Sequence, residues 1–418
     1  MFTARGVTVI AGGLAMWVVA RVIGSAGLEV VGLGLAALPV LALVVSSRGR
    51  RHLDVRRHLS DRRVRPGARV TIELEVANRS VANGTVLLVE DRLPPSLGRP
   101  ARMVITDLPG RSTRQVAYAI VPQVRGRYPL GPVTVDATDA YGLTRRRLAF
   151  DIHDELTVTP VIEDLQSVPS SSPGPSFGTA RARQLLRVGE EYYTMRQYHL
   201  GDDLRRIHWP SVARTGELMI RQDEATKRAS GLVFVDQRQS TLGQTRGMAF
   251  ERAISAAASV GVLLARSGFQ LRFATADHPP GPMTEERLLD ALAGLAHSQA
   301  RTIAPALTNL RAAASADTSL VFVSGPPAPT ELAGLLRAGS GFGPRLAILV
   351  YPLDPASLPP DRQTQLEGRA TQARLALARA GWDCIVLTPS TTLTERWNAP
   401  AQRPGRQRPD RQHQASSA

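Results

Sequence analysis

The hydrophobic rhythm of the chain changes along its length, and each change predicts a different kind of element. Residues 6–20 (GVTVIAGGLAMWVVA) and 30–47 (VVGLGLAALPVLALVVSS) are mostly apolar and carry no charge. A helix needs about 20 such residues to cross a bilayer. The second run comes close to that length. The first is shorter, but Arg21 beyond it can reach the headgroups with its guanidinium and lengthen the span. A secretory leader fits less well, because a second apolar run follows at once and no small-residue cleavage site stands out. The expectation is a transmembrane helical hairpin over residues 1–47, with a small loop near residues 21–29.

From residue 48 the rhythm shortens. VTIELEVANRS (70–80) alternates apolar and polar positions, as a half-buried strand does. GTVLLVEDRLP (84–94), RQVAYAIVPQ (114–123), YPLGPVTVDATD (128–139) and LAFDIHDELTVTP (148–160) read the same way, separated by turn-forming stretches such as RPGA and LPPS. Short strands at this spacing predict an antiparallel β-sandwich-like domain over 48–162. Asp91, Asp136 and Asp139 read either as metal ligands or, more simply, as turn-capping carboxylates. Residues 163–183 are rich in Pro, Ser and Gly and read as a linker.

Residues 231–390 have yet another pattern. Short apolar runs at 231–237, 269–276, 319–325, 345–351 and 382–388 alternate with helical periodicities at 248–268, 283–296, 329–339 and 362–381. That alternation predicts a doubly wound, largely parallel α/β sheet, whose ligands bind at the carboxyl ends of its strands. Residues 391–418 are polar and aperiodic, and read as a disordered tail. The whole is a multi-domain chain.

Charge changes this picture less than it first suggests. The net charge is +15, yet Lys227 is the only lysine among 51 basic residues. The excess is also localised: residues 48–65 hold eight Arg against two Asp, and residues 396–418 hold five Arg against one Asp. A nucleic-acid binder needs a basic stripe on a folded face, so no nucleic-acid partner is expected. Arg5 precedes the first span, while Arg48, Arg50, Arg51, Arg56 and Arg57 follow the second. Positive flanks stay inside. This predicts a two-pass protein of the inner (plasma) membrane with cytoplasmic soluble domains and a basic collar drawn to anionic lipid. The single cysteine, Cys384, sits in an apolar run and excludes an intrachain disulfide.

The densest motif lies in residues 184–230, where RQYHLGDDLRRIHWPSVARTGELMIRQ (196–222) crowds Arg, Asp, His and Trp together. Gly201 followed by Asp202 and Asp203 reads as a turn into a helix start, with an acidic side chain capping free N–H groups. Ser211 reads as the cap of a second short helix closed by Gly216, and LMIRQ as a strand. In this compact helix-turn-helix, Arg196, Arg205, Arg206 and Arg214 would cross-tie to Glu190, Glu191, Asp202 and Asp203. A metal-assisted hydrolase using Asp202, Asp203 and His199 or His208 is the catalytic alternative. No nucleophile context and no phosphate-binding loop accompanies it.

The residues Arg196, Tyr198, Gly201, Asp202, Asp203, Arg205, Ile207, His208 and Trp209, followed by Ala213, Arg214, Gly216 and Glu217, resemble the signature of the bacterial "domain of unknown function 58" family. RGRYPLGP and TDAYGL in the β-rich part fit the same pattern. The resemblance implies a last domain like von Willebrand factor A. It also implies partnership with a MoxR-type AAA+ ATPase and with a transglutaminase-like membrane protein. The metal site of von Willebrand factor A domains begins Asp-x-Ser-x-Ser and holds Mg²⁺ through oxygens. Here Asp236 and Ser240 match, but Arg238 takes the middle Ser position, and Ser324 falls where a further Asp is expected. The site reads as degenerate: no cofactor is expected, with Mg²⁺ at Asp236 and Ser240 as the alternative to an Asp236–Arg238 ion pair. The functional expectation is a non-enzymatic adaptor or scaffold, with ATP hydrolysis left to the partner.

Overall fold

The computed structural model describes residues 1–48, 53–80, 86–138, 141–165, 181–182, 184–186, 193–199, 202–203, 207–223, 229–243 and 247–399. They form two compact units, Met1–Thr159 and Pro160–Ala418.

The first unit opens with helix α1 (Ala4–Ile23) and helix α2 (Ala26–Arg48). Thr3 caps α1 by accepting the Gly6 N–H on its Oγ at 3.1 Å. Gly24, at φ 77°, ends α1 by donating its N–H to the Ala20 carbonyl. A left-handed glycine reverses the chain with little cost, so the connection is only Gly24–Ser25, tighter than the loop expected over 21–29. The two helices meet at glycines. A Cβ on Gly13 would lie 2.6 Å from the Ala36 nitrogen, and one on Gly32 would lie 2.8 Å from the Trp17 nitrogen. Small residues let apolar helices bring their backbones together where lipid offers no hydrophobic drive. Both helices are long and apolar enough to cross a membrane. A third, Met248–Arg266, passes the same test but is 78% buried and belongs to a protein core.

Ten strands follow. β1 (Leu53–Leu59), β3 (Val70–Asn78) and β6 (Ser112–Ile120) form one antiparallel sheet. β4 (Leu87–Asp91) and β5 (Ala101–Ile105) join β8 (Val133–Thr138) and β9 (Arg145–Phe150) in a second, ordered β5-β4-β8-β9. β2 (Arg63–Val64), β7 (Gly126–Leu130) and β10 (Asp154–Val158) form a third, in which the short β2–β10 pair is parallel. Alternate residues of β3 are buried. Leu74 and Val76 pack with Leu87, Val89, Val133 and Val135, whereas Val70 and Ile72 pack with Leu130, Leu156 and Val158. One strand therefore serves two cores. The stretches 128–139 and 148–160, each expected as one strand, are two apiece. The first breaks at Gly131 (φ 104°), where a Cβ would lie 2.1 Å from the Ile152 carbonyl oxygen.

Asp91 and Asp136 are not turn caps: both lie within strands and hold arginines. The Arg57 guanidinium, buried on β1, donates to both oxygens of Asp91 and to the Leu130 and Ile152 carbonyls. The Tyr118 hydroxyl donates to Asp91 at 2.7 Å. Burial first, then the Asp91 carboxylate, pushes the Tyr118 phenol well above its ordinary range. Asp136 accepts from Arg145. Asp139 lies outside the described residues.

In the second unit, a six-stranded sheet runs β15-β14-β13-β16-β17-β18. Its strands are β13 (Ser230–Val235), β14 (Gln270–Thr275), β15 (Gly281–Pro282), β16 (Thr318–Ser324), β17 (Arg345–Val350) and β18 (Asp383–Leu387). All neighbours are parallel except the β14–β15 pair. Val233 and Val235 face one core, shared with Phe250, Leu288 and Trp397, and Leu232 and Phe234 face the other, shared with Leu310, Leu335 and Leu377. A sheet covered on both faces reads as unbroken apolar runs, which is why its strands show no alternation. Helices among the described residues of this unit include α3 (Trp209–Thr215), α4 (Gln239–Leu242), α5 (Met248–Arg266), α6 (Glu285–Gly294), α7 (Ala304–Ala312), α8 (Pro329–Gly339), α9 (Pro360–Arg379) and α10 (Leu393–Trp397). Nothing in the periodicity singled out α7. Thr284 caps α6, accepting the Arg287 N–H at 3.3 Å.

Two boundaries move. The segment expected as tail from residue 391 begins with α10, whose Leu393 and Trp397 are fully buried; residues 400–418 lie outside the described residues. The expected linker is anchored at both ends. Glu163 accepts from Arg252 at 3.0 Å and from the Thr394 N–H at 2.8 Å, and Arg181 is 8% exposed. The two hydroxyls on α5 explain why that core helix carries serines. Ser255 donates to the Val161 carbonyl at 2.7 Å, and Ser259 accepts the Glu163 N–H at 2.9 Å.

Candidate functional site

The carboxyl edge of the α/β sheet lies where β13 and β16 end, side by side. Asp236 follows β13 directly and is held in register by its N–H, which donates to the Val323 carbonyl at 2.8 Å. Two residues later the chain turns into α4, so Arg238 folds back over Asp236. Its Nε donates to one carboxylate oxygen and its Nη2 to the other, both at 2.8 Å. The Ser324 Oγ, at the end of β16, donates to Asp236 Oδ2 at 3.0 Å. The remaining guanidinium nitrogen, Nη1, donates to Glu331 Oε1 at 2.6 Å from the first turn of α8. Asp236 and Arg238 side chains are 1% and 3% exposed, and Glu331 is 23% exposed. A Cβ on Gly325 would lie 2.0 Å from the Thr241 carbonyl oxygen, so only glycine lets α4 rest against the end of β16.

Electrostatically the cluster is closed. Burial lowers the affinity of Arg238 for its proton, but the bonds to Asp236 and Glu331 outweigh it and leave the guanidinium pKa raised. A single cation is thus clamped between two carboxylates, the arrangement in which a buried charge is tolerable. Both Asp236 oxygens are engaged. A divalent ion there would meet a guanidinium at close range, so these residues do not fit Mg²⁺. Ser240 does not join them; it is exposed on α4. Among the described residues, no three His, Cys, Asp or Glu side chains gather as a metal site. Glu331 went unread because it lies 93 residues beyond Arg238; the hint was an acidic residue in the first turn of a helix that follows a sheet strand.

A second network ties the neighbouring loops. Gln237 Nε2 donates to Asp277 Oδ2 at 2.8 Å, and Ser298 donates to the other Asp277 oxygen. His297 Nδ1 lies 2.7 Å from the Gln237 carbonyl. A carbonyl only accepts, so Nδ1 carries the proton.

The signature residues form a different structure, on a two-stranded antiparallel ribbon of β11 (Tyr193–Gln197) and β12 (Met219–Asp223). Ile207 bridges to Ile220, and both are buried. His208 donates its backbone N–H to the Met219 carbonyl at 2.9 Å, and Tyr198 likewise to Leu218. These bonds seat α3, which begins at Trp209, earlier than the Ser211 start expected. Ser211 lies inside the helix, its hydroxyl 2.8 Å from His208 Nδ1. Gly216 closes α3 at φ 75°. Asp202 does not start a described helix. It closes a turn instead, accepting the His199 N–H at 2.9 Å. Ala213, Arg214 and Glu217 are exposed, and Glu217 accepts from Gln197. Gly201, Arg205, Arg206, Glu190 and Glu191 lie outside the described residues, as does the side chain of Arg196. The expected cross-tie therefore falls largely there. Trp209 is 65% exposed, although Ile207 and His208 just before it are pinned to the ribbon.

Several solved structures resemble parts of the chain. They include a CARDB domain from Pyrococcus furiosus crystallised with di-metal ions (12% identity, TM-score 0.19). A second is the human seminal-plasma complex of zinc 2-glycoprotein and prolactin inducible protein (15% identity, TM-score 0.21). A third is the putative ApaA protein of Bordetella pertussis (9% identity, TM-score 0.19). Each match covers 25% of this chain, and 91%, 92% and 91% of the respective solved chains. Scores this low assign no fold. No curated protein matches the chain. Residues 194–381, from the signature ribbon through α9 of the sheet domain, match the family described as Protein of unknown function DUF58.

Proposed function

We propose that the protein is a membrane-anchored, non-enzymatic adaptor or scaffold that works with a MoxR-type AAA+ ATPase in the assembly or maturation of envelope-associated complexes. Its soluble parts face the cytoplasm, and its α/β domain is a von Willebrand factor A-like module with the metal position taken by Arg238. A transglutaminase-like membrane protein is a second partner in this reading.

The observation that supports it best is Trp209. An indole costs apolar exposure, and tryptophan is enriched at the centres of protein interfaces. Here it stands in solvent at the first position of a helix that backbone hydrogen bonds and the Ile207–Ile220 contact hold rigid. A rigid aromatic anchor loses little entropy on docking. The closed Asp236–Arg238–Glu331 cluster supports the non-catalytic half of the reading, because its charged groups are spent on one another. The hydrolase alternative draws no comparable support, since Asp202 and His208 are turned to local partners.

The test is crosslinking and affinity purification of the tagged full chain from detergent-solubilised native membranes, with mass spectrometry, in the wild type and in Trp209→Ala. Recovery of an AAA+ ATPase with the wild type, and its loss with the variant, is expected. Absence of any AAA+ ATPase from the wild-type crosslinks would sink the proposal.

A further inference from the structure

β18 is the last strand of the six-stranded sheet, and among the described residues its outer edge has no β partner. A groove of about 730 Å³ runs along it. Trp382, Asp383, Cys384, Ile385 and Val386 all line the groove. Successive strand side chains point to opposite faces, so four consecutive lining residues of β18, Asp383 to Val386, mean that the groove follows the strand's edge, not one of its faces. One wall is α9, through Ala370, Thr371 and Leu375. The other is the segment at Arg181 and Gln184 with the end of α10. The floor is therefore a row of backbone N–H and C=O groups, with a wall on either side.

The charge of the rim is one-sided. Arg374, Arg379 and Arg396 line it, and Arg379 and Arg396 are exposed. The one carboxylate in the lining, Asp383, is already bound by the buried Arg181 at 2.5 Å. Arg181 also donates to the Arg396 and Trp397 carbonyls at 3.0 and 2.6 Å, which makes it part of the wall.

We propose that this groove binds an extended, acidic segment of a partner protein, which adds to the sheet as a strand beside β18. Main-chain bonds to the edge would supply affinity and register. Alternate acidic side chains would meet the arginines of α9 and α10. The rim argues against a second copy of the chain, which would bring a second set of arginines edge to edge. It argues equally against the chain's own last residues, since positions 401–418 carry four Arg and one Asp. The inference uses none of the residues around Trp209 and does not depend on the identity of the ATPase partner.

The test uses the full chain in detergent micelles and a fluorescein-labelled octapeptide of alternating Glu and Val, read by anisotropy. Saturable binding is expected. It should weaken by about tenfold or more in Arg379→Glu/Arg396→Glu, whose side chains are in solvent and whose melting temperature should match the wild type. It should vanish for the same peptide N-methylated at alternate amides, which removes the strand-forming N–H groups. Three results would each overturn the proposal: no saturable binding, equal binding of the N-methylated peptide, or equal binding of a Lys-Val peptide. So would displacement of the Glu-Val peptide by inorganic phosphate at comparable concentration, which would reduce the rim to a general anion site.

Discussion

Arg238 illustrates how one side chain decides what a loop can do. It pairs with both Asp236 and Glu331, in a space where an unpaired Asp236 would be costly. Arg238→Ala leaves Asp236 buried without a counterion and should destabilise the domain by about 3–5 kcal/mol. Replacing both partners, as Arg238→Met with Asp236→Leu, should cost much less, because no charge is stranded; thermal unfolding of both variants checks this. If the guanidinium stands where a cation would bind, Arg238→Ser should gain a melting temperature that rises with added Mg²⁺, while the wild type stays indifferent. Cys384 offers a second residue-scale test. Burial first, and then the nearby Asp383, push its thiol from 9.0 up to about 12. The folded state thus favours the protonated thiol. Alkylation by iodoacetamide at pH 8 should be far slower than for free cysteine. The stability this thiol contributes should be intact below about pH 9 and fall as pH rises towards 12.

At the scale of elements, the helical hairpin depends on glycines placed on one side. Gly13→Leu forces a side chain into the backbone of α2, whereas a Cβ on Gly12 meets nothing within 4 Å. Overpacking costs about 1–3 kcal/mol, so Gly13→Leu should lower the melting temperature in detergent and expose the hairpin to protease, and Gly12→Leu should do neither. Parallel behaviour of the two would remove the close-approach account. The same logic explains the broken strands of the β-rich part. The apolar alternation of 128–139 is genuine, but a left-handed Gly131 in its middle sends β7 and β8 into different sheets. Alternation reports which face is buried, not whether a chain continues straight. In α3 the helix is short and anchored from outside: its ribbon, not its own propensity, holds it.

For the whole molecule, the arginine-rich flanks predict that both soluble units lie on the cytoplasmic side. Single cysteines at Gln115 on β6 and at Gln365 on α9, both exposed and each in a Cys384→Ser background, should resist a membrane-impermeant maleimide in intact cells. They should react once the membrane is opened. Labelling of either site in intact cells would reverse the orientation and remove the adaptor proposal's access to a cytoplasmic ATPase.

Much of this could be read along the chain, because it rests on local periodicity. The spans, the strand-rich part, the alternation of strands with helices after residue 231 and the dense motif around Trp209 are all properties of short windows, and short windows determine burial pattern and helix or strand type. The Asp236–Arg238 pair was legible for the same reason, being two residues apart. Glu331 was not, and neither was the Arg57–Asp91 pair, 34 residues apart. Nor was the groove of β18, whose walls come from residues near 181, 374 and 396. Those depend on strand order, on which helix covers which edge, and on where a turn sends the chain. Polar residues far apart become partners only after the apolar runs have chosen their neighbours.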